Sequence, residues 1–199
     1  QELPDKSIIV VGARDRYSKG SKNGYLIRID KNGDLIWEKE LLDNNQNDEI
    51  IYSISTSMSG NYYLCSTINS DNNLEIYQPK IIKIDGSGNI DWQRIFQANG
   101  KYYHQYRATT TKSGDIVIVG SSAKNISLGY KDDAFMTKID SRGNIIWTYP
   151  YGTMDKDDWG WSIFETQNNN LVFVGSTKSF GASLFDIFLV STNSDGISQ

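Results

Sequence analysis

The chain of 199 residues carries 24 acidic and 20 basic side chains, giving a formal net charge of −4. A net acidic chain lacks the basic face that a nucleic-acid partner requires, and no apolar run approaches the ~18 residues that a membrane span needs. We therefore expect no nucleic-acid partner and no membrane span. The length fits one domain with a substantial core.

A short pattern recurs along the whole chain. It reads Ile-Asp-x-x-Gly-(Asn/Asp)-x-x-Trp at 29–37, 84–92 and 139–147, and a damaged fourth copy occupies 191–197. The pattern glycines are 55, 55 and 53 residues apart, counted between Gly33, Gly88, Gly143 and Gly196. A period near 50 marks an array of equal supersecondary units. The units are approximately 1–41, 42–96, 97–150 and 151–199, within a single domain that spans 1–199.

Each unit is predicted to contain four short strands. The N-terminal unit starts with an apolar run at 8–12 and continues with runs at 25–29 and 34–37. The third unit shows all four segments, at 107–109, 116–120, 135–139 and 144–147, with a Ser-Gly-Asp turn after the first. Near-continuous β-branched runs are typical of strands that are buried on both faces. No window shows a sustained helical period, so we expect an all-β chain.

Four antiparallel strands repeated about every 55 residues are typical of the blades of a β-propeller. Blades pack face to face, which accounts for strands that are apolar on both sides. The tryptophans Trp37, Trp92 and Trp147 are expected on the outermost strands, wedged between neighbouring blades. Ligand stacking is the alternative role for these rings.

The end blades are predicted to be incomplete. Only residues 1–6 precede Ser7, so the first unit lacks its first strand, and the fourth unit lacks its Trp strand. Three arrangements stay open: a closed ring of four blades, a pairing with a second copy of the chain, or a segment of a longer propeller. Unpaired end strands leave edges and apolar faces open, which favours closure or a homodimer.

The Asp-x-x-Gly-Asn-x-x-Trp pattern resembles the repeats of bacterial secreted β-propeller proteins of largely unassigned function, and the resemblance covers essentially the whole chain. It is also similar to the tryptophan motif of quinoprotein-like propellers, which has one more residue between Asp and Gly. The sialidase Asp-box differs, because there Trp follows Gly by three residues, whereas Trp37 follows Gly33 by four. The resemblance implies a propeller fold and export to a secreted, periplasmic or cell-surface location. It implies no chemistry.

Candidate site residues lie where each innermost strand begins. Loops between the second and third strands and between units are long and varied, and they share one side of the array, the long-loop edge. Loops on a rigid scaffold are where binding usually occurs. The aligned strand starts combine aromatic and acidic side chains, and the predicted ligand-binding residues are Asp48, Glu49, Tyr102, Tyr103, His104, Asp157, Asp158 and Trp159.

Aromatic faces beside carboxylates suit sugars, and tyrosine and tryptophan also anchor protein interfaces. The aligned aromatics Tyr52, Tyr106 and Trp161 are expected to fill the inner core instead. His104 is the only histidine, and with one cysteine in the chain we expect no zinc site, no other metal site and no cofactor. The Asp30–Asp34 stretch faintly resembles a calcium loop, but a hairpin turn is the better interpretation.

No catalytic residues are assigned. The leading hypothesis is a non-catalytic binding propeller of a secreted or envelope protein, with a glycan or protein ligand on the long-loop edge. One alternative is a glycoside hydrolase that uses inner-loop carboxylates such as Glu49 and Asp157. The other is a purely structural segment of a longer surface protein.

Overall fold

The computed structural model describes residues 1–15, 22–41, 48–57, 60–69, 77–96, 102–123, 131–153, 155–181 and 184–198, with the side chains of 102–106 and 123 outside the description. Within these ranges the chain is all-β, as predicted, with fourteen strands and no helix. It follows that no described helix is long and apolar enough to cross a membrane.

The strands form four small antiparallel sheets in chain order, in which neighbouring strands along the chain are paired. Sheet 1 contains β1 (Ile8–Asp15), β2 (Lys22–Ile29) and β3 (Leu35–Leu41). Sheet 2 contains β4 (Asp48–Thr56), β5 (Tyr62–Asn69), β6 (Tyr77–Ile84) and β7 (Ile90–Ile95). Sheet 3 contains β8 (Tyr102–Thr110), β9 (Ile116–Ala123), β10 (Asp132–Ile139) and β11 (Ile145–Tyr151). Sheet 4 contains β12 (Asp158–Glu165), β13 (Leu171–Thr177) and β14 (Asp186–Thr192).

The turn between the first two strands of a unit has one geometry throughout the array. In sheet 2 the Ser57 amide donates to the Asn61 carbonyl at 2.8 Å, and Gly60 adopts a φ of 79°. Asn169 takes the corresponding place in sheet 4 with a φ of 63°. Gly and Asn are the residues that adopt left-handed backbone most readily. Their positions in these turns confirm the predicted hairpins.

The aspartate of the repeated motif organises the turn before the outermost strand. One carboxylate oxygen of Asp85 accepts the amide protons of Ser87 at 2.9 Å and Asn89 at 2.8 Å. Asp30 and Asp140 do the same in their turns. In the fourth unit the side-chain oxygen of Asn193 accepts both bonds at 3.0 Å. The motif is therefore a hairpin turn closed by a side chain, as expected for 30–34.

These turns predict a loss of stability in acid. Amide donors, chiefly those of Asp34, Asn89 and Asn144, hold the pKa of Asp30, Asp85 and Asp140 below the ordinary 3.8. A carboxyl group whose pKa is lower in the folded chain than in the unfolded chain stabilises the fold at pH values above its unfolded-state pKa. This contribution is lost as the pH falls through the folded-state pKa. We expect the free energy of unfolding, followed by urea titration, to fall as the pH drops below 3.8.

The control variant replaces all three aspartates with asparagine, because Asn193 already performs this role in the fourth unit. The triple variant should fold at neutral pH and lose less stability on acidification than the parent chain. If the two proteins lost the same free energy of unfolding on acidification, other carboxyl groups would be responsible for the loss of stability at low pH.

Successive sheets pack face to face, and an apolar core fills each of the three junctions. Ile9 and Leu26 of sheet 1 meet Leu64 and Ile82 of sheet 2, and all four side chains are nearly inaccessible to solvent. The cores of the next two junctions are built in the same way. They include Tyr63, Ile81, Ile118 and Phe135 between sheets 2 and 3, and Val119, Met136, Phe173 and Phe188 between sheets 3 and 4.

The motif tryptophans join consecutive units. Trp92, on β7, donates its indole N–H to the Ser141 carbonyl at 3.2 Å, and a Cβ added at Gly143 would lie 3.1 Å from its ring. Trp37 lies against Gly88 and Trp147 against Gly196 in the same way. Each outermost tryptophan is half-buried and covers the glycine turn of the following unit. The predicted wedge position between neighbouring units is confirmed.

The first unit contains more of its first strand than the sequence predicts. Glu2 forms an antiparallel bridge with Ile8, and the Leu3 amide donates to the Ser7 carbonyl at 2.8 Å. Lys6 takes the left-handed position with a φ of 67°. Residues 1–7 therefore form the end of an innermost strand and its turn, and they cover part of the β1 edge that was expected to be open. A sequence pattern cannot reveal a strand of two residues.

The fourth unit has three strands and the start of a fourth, at the bridge between Thr192 and Ser198. Extensive contacts join sheet 1 to sheet 2, sheet 2 to sheet 3 and sheet 3 to sheet 4. No comparable contact joins sheet 4 to sheet 1 within the described ranges. The closed ring, one of the three arrangements that the sequence left open, stays a prediction.

Candidate functional site

The eight predicted site residues occupy matching places in three sheets. Strand register aligns Glu49, opposite Ile68, with Tyr103, opposite Ser122, and with Asp158, opposite Thr177. Their strands all begin at the long-loop edge. The side chains of Tyr102, Tyr103 and His104 lie outside the described residues, so the structure describes the environment of the other five.

Glu49 lies inside sheet 2 rather than at its surface. Its carboxylate accepts hydrogen bonds from Lys80 Nζ at 2.9 Å and from Ser66 Oγ at 2.8 Å. The Glu49 side chain is 1% exposed and that of Lys80 is 6% exposed. This buried ion pair ties β4 to β6. Asp48 is half-buried and accepts the Lys22 amide proton at 2.6 Å, which fixes the start of β4 against β2.

Asp158 is fully buried and holds two connections together. Its carboxylate accepts hydrogen bonds from the hydroxyls of Thr177 and Ser179 and from the Thr153 amide at 3.2 Å. Gly152, with a φ of 124°, leaves space for this carboxylate, since a Cβ there would lie 2.1 Å from Asp158 Oδ2. The side chain fixes the connection before β12 to the end of β13.

Asp157 lies at the rim of sheet 4 and forms an ion pair with Lys178, with 2.8 Å between Oδ2 and Nζ. Its other oxygen accepts the Asp132 amide proton at 3.4 Å. Partial burial raises the pKa of Asp157, but these hydrogen bonds and the nearby positive charge outweigh burial, so its pKa is below the ordinary value. The carboxylate is therefore ionised at neutral pH.

An aromatic cluster surrounds the last predicted residue, Trp159. Its indole N–H donates to Asp132 Oδ2 at 3.0 Å. Its ring stacks on Phe185, with centroids 4.6 Å apart, and meets Trp161 edge to face at 5.8 Å. Lys178 Nζ lies 4.3 Å from the Phe185 centroid, within cation–π distance. We call Trp159, Trp161, Phe185, Asp132 and Lys178 the Trp159 cluster.

Two aromatics that were expected in the inner core are exposed instead. The register passes from Ile51 to Ser53 in β4 and from Gly160 to Ser162 in β12, so Tyr52 and Trp161 are the extra residues of β-bulges. Tyr52 is 39% exposed and Trp161 is 44% exposed. The prediction of core filling is wrong for both, because a bulge turns its extra residue away from the regular alternation. Tyr106 is the equivalent residue in β8, and its side chain is outside the description.

Three members of the Trp159 cluster were not identified from the sequence. Lys178 and Phe185 flank a long connection that was recognised, but spacing alone does not show that this connection lies over Trp159. Asp132 comes from a different sheet, so no local pattern links it to Trp159. Their contacts arise from the packing of sheet 3 on sheet 4.

A cleft of about 460 Å³ opens at the opposite, short-turn edge between sheets 3 and 4. Lys112 Nζ donates there to the carbonyls of Thr166 and Gln167, at 3.0 and 2.6 Å. Lys138 pairs with Asp115 at 3.2 Å. Because Lys112 joins a turn of sheet 3 to a turn of sheet 4, we interpret the cleft as a structural junction between turns.

Three of the predicted carboxylates are engaged by groups of the protein itself. Glu49 and Asp158 are buried with protein partners, and Asp157 is bound to Lys178. Across the residues whose side chains are described, no group of three or more His, Cys, Asp or Glu is placed to hold a metal ion. The Trp159 cluster offers exposed aromatic surface beside carboxylates and an ammonium group, which is a chemistry of binding.

The chain matches no protein-family model, and no curated protein is significantly similar to it.

Proposed function

We propose that the chain is a non-catalytic binding domain of β-propeller type, belonging to a secreted or envelope protein, with its ligand at the long-loop edge of sheet 4. One observation carries the proposal: the Trp159 cluster gathers Phe185, 42% exposed, and Trp161, 44% exposed, with the polar side chains of Asp132 and Lys178. The location rests only on the resemblance of the repeats to those of secreted propellers.

The propeller form is supported by the repetition of one junction. Three times, an outermost tryptophan covers the glycine turn of the next unit, and three times an apolar core fills the space between successive sheets. The blades of a propeller also meet one another through one repeated junction. The blade number of a complete ring stays open.

A glycan is the ligand class that the cluster fits best. Sugars present C–H faces that stack on aromatic rings, and their hydroxyls bond to carboxylates and ammonium groups. Phe185 and Trp161 supply the apolar surface, while Asp132 and Lys178 supply polar groups at its border. A protein ligand is the second candidate, since exposed tryptophan and phenylalanine also anchor protein interfaces.

The hydrolase alternative gains no support from Glu49, Asp157 or Asp158. A glycosidase needs two carboxyl groups that face the scissile bond, one of them able to donate a proton. Glu49 and Asp158 face the protein interior, and the lowered pKa of Asp157 is the reverse of what a general acid requires. We therefore propose binding without turnover.

The proposal predicts that truncating the aromatic side chains of the Trp159 cluster weakens ligand binding. We expect Phe185→Ala and Trp159→Ala each to weaken binding of a glycan found by array screening at least roughly tenfold, as for a central aromatic contact. Phe185 is the cleaner test because it is exposed, whereas Trp159 is half-buried. Calorimetric titration of the glycan measures the affinities.

Tyr149→Ala is the matched control, because Tyr149 is an equally exposed aromatic that stacks on Trp147, away from the cluster. It should leave binding unchanged. Full affinity in both cluster variants would place the site elsewhere. Release of cleaved sugar by the parent chain, abolished by Asp157→Asn, would favour the hydrolase. Binding of a protein but of no glycan, lost in Phe185→Ala, would favour the second ligand class.

A further inference from the structure

The two end sheets each expose a face that is covered in every other sheet. We call the side of a sheet that packs on the preceding sheet its leading face, and the side that packs on the following sheet its trailing face. Sheets 2 and 3 have both faces covered. Within the described ranges, no sheet packs extensively on the leading face of sheet 1 or on the trailing face of sheet 4.

Equivalent positions show how unusual the leading face of sheet 1 is. Val10, Leu64, Ile118 and Phe173 are aligned by register in the four sheets. Leu64, Ile118 and Phe173 are at most 2% exposed, whereas Val10 is 46% exposed. Ile8 is 37% exposed, although its three counterparts, Tyr62, Ile116 and Leu171, are buried. The leading face of sheet 1 therefore has apolar residues at positions that are buried in the other sheets, but here they are exposed.

The trailing face of sheet 4 shows the same mismatch more strongly. Leu26, Ile81, Met136 and Leu189 are aligned by register. The first three are at most 1% exposed, and Leu189 is 69% exposed. Val174, beside Leu189, is 41% exposed, whereas Cys65 and Val119 at its position are inaccessible. Phe164 and Ile187 extend this face and are 56% and 81% exposed.

We propose that the chain associates head to tail, with the trailing face of sheet 4 in one copy covering the leading face of sheet 1 in the next. The chain itself supplies the complementary surface, because the same pairing of a trailing face with a leading face forms all three internal junctions. The aligned core positions named above are apolar on both exposed faces, and exposed apolar surface of this kind marks interaction sites.

This contact has a direction, which separates it from an ordinary symmetric dimer. A symmetric dimer would join two identical faces, whereas the internal junctions always join unlike faces. Head-to-tail contact therefore propagates, either into a closed ring of copies or into an open chain. The inference goes beyond ligand binding at the Trp159 cluster and does not depend on it.

The direction provides the test. Val10→Lys damages only the leading face and Leu189→Lys only the trailing face, and both positions are exposed, so the fold should tolerate them. Sedimentation velocity should show the parent chain as species of two or more copies. Each single variant should lose this association, with affinity at least roughly a hundredfold weaker, because every contact would bury an unpaired ammonium group. An equimolar mixture of the two variants should form a one-to-one dimer, because one intact face remains on each.

Ile90→Lys is the control, because Ile90 is 48% exposed on an outermost strand and belongs to neither end face. It should associate like the parent chain. The proposal would be overturned if the parent chain were a monomer at every concentration. It would also be overturned if either single variant still dimerised by itself. Dimers of Val10→Lys would join two trailing faces, and dimers of Leu189→Lys would join two leading faces. A mixture that stays monomeric although both variants show the parent's circular dichroism would also reject it.

Discussion

Replacing Trp92 with alanine is expected to lower the free energy of unfolding by about 3 kcal/mol, the lower end of the usual cost of emptying a large aromatic site. The indole is half-buried, so the upper end of that range is not expected. Its ring contacts Tyr63 with centroids 6.0 Å apart and covers Gly143 of the next unit. The alanine variant removes this contact and the hydrogen bond to the Ser141 carbonyl together. Urea denaturation measures the change.

Phenylalanine substitutions separate packing from hydrogen bonding. Trp92→Phe should cost about 1 kcal/mol more than Trp37→Phe, because the Trp92 indole N–H has a carbonyl partner and the buried Trp37 N–H has none. Gln93→Ala, at the exposed neighbouring position, should change stability little. A loss below about 1 kcal/mol for Trp92→Ala would contradict the role of the tryptophan in joining sheets 2 and 3.

Much of the fold could be predicted from the sequence because its signals are local and repeated. The Asp and Gly of the motif close a hairpin turn within five residues, and their period fixes the unit. Apolar runs such as 116–119 identify strands that are buried on both faces. Whether the sheets close into a ring depends on the rotation of each sheet relative to the preceding one, and no residue pattern encodes that angle. The short strand segment at Gln1 and Glu2 was not predicted, because two residues are too few to show a periodicity.

Less of the candidate site could be predicted. Spacing placed Asp48, Glu49, Asp158 and Trp159 at the starts of the first strands of their sheets, which is where the structure has them. It could not distinguish the buried carboxylates from the half-buried ones, because burial depends on partners such as Lys80 that come from other strands. The bulge at Trp161 reverses the direction of a single side chain, and alternation predicts the opposite. Contacts between Trp159 and Asp132 or Phe185 join segments that are distant in sequence.

The buried ion pair of sheet 2 predicts the other large effect. Lys80→Met should lower the free energy of unfolding by about 3–5 kcal/mol, because it leaves the Glu49 carboxylate without a counter-charge in a dry interior. Ser66 Oγ, 2.8 Å from Glu49 Oε1, remains as a neutral donor and cannot balance the charge. The double variant Glu49→Leu/Lys80→Met should recover most of this loss, since apolar side chains of similar volume often replace a buried pair without cost.

This double-variant cycle also decides the role of Glu49 in function. If the carboxylate serves only to join β4 to β6, the two substitutions couple strongly in stability, and the double variant binds the parent's ligand with unchanged affinity. Lys80→Ala/Glu49→Ala is unsuitable here, because the cavity it creates would add its own cost. A Lys80→Met variant that loses less than about 1 kcal/mol would mean that water reaches Glu49. In that case the carboxylate could contact a ligand at the long-loop edge, and the hydrolase alternative would regain one of its two acids.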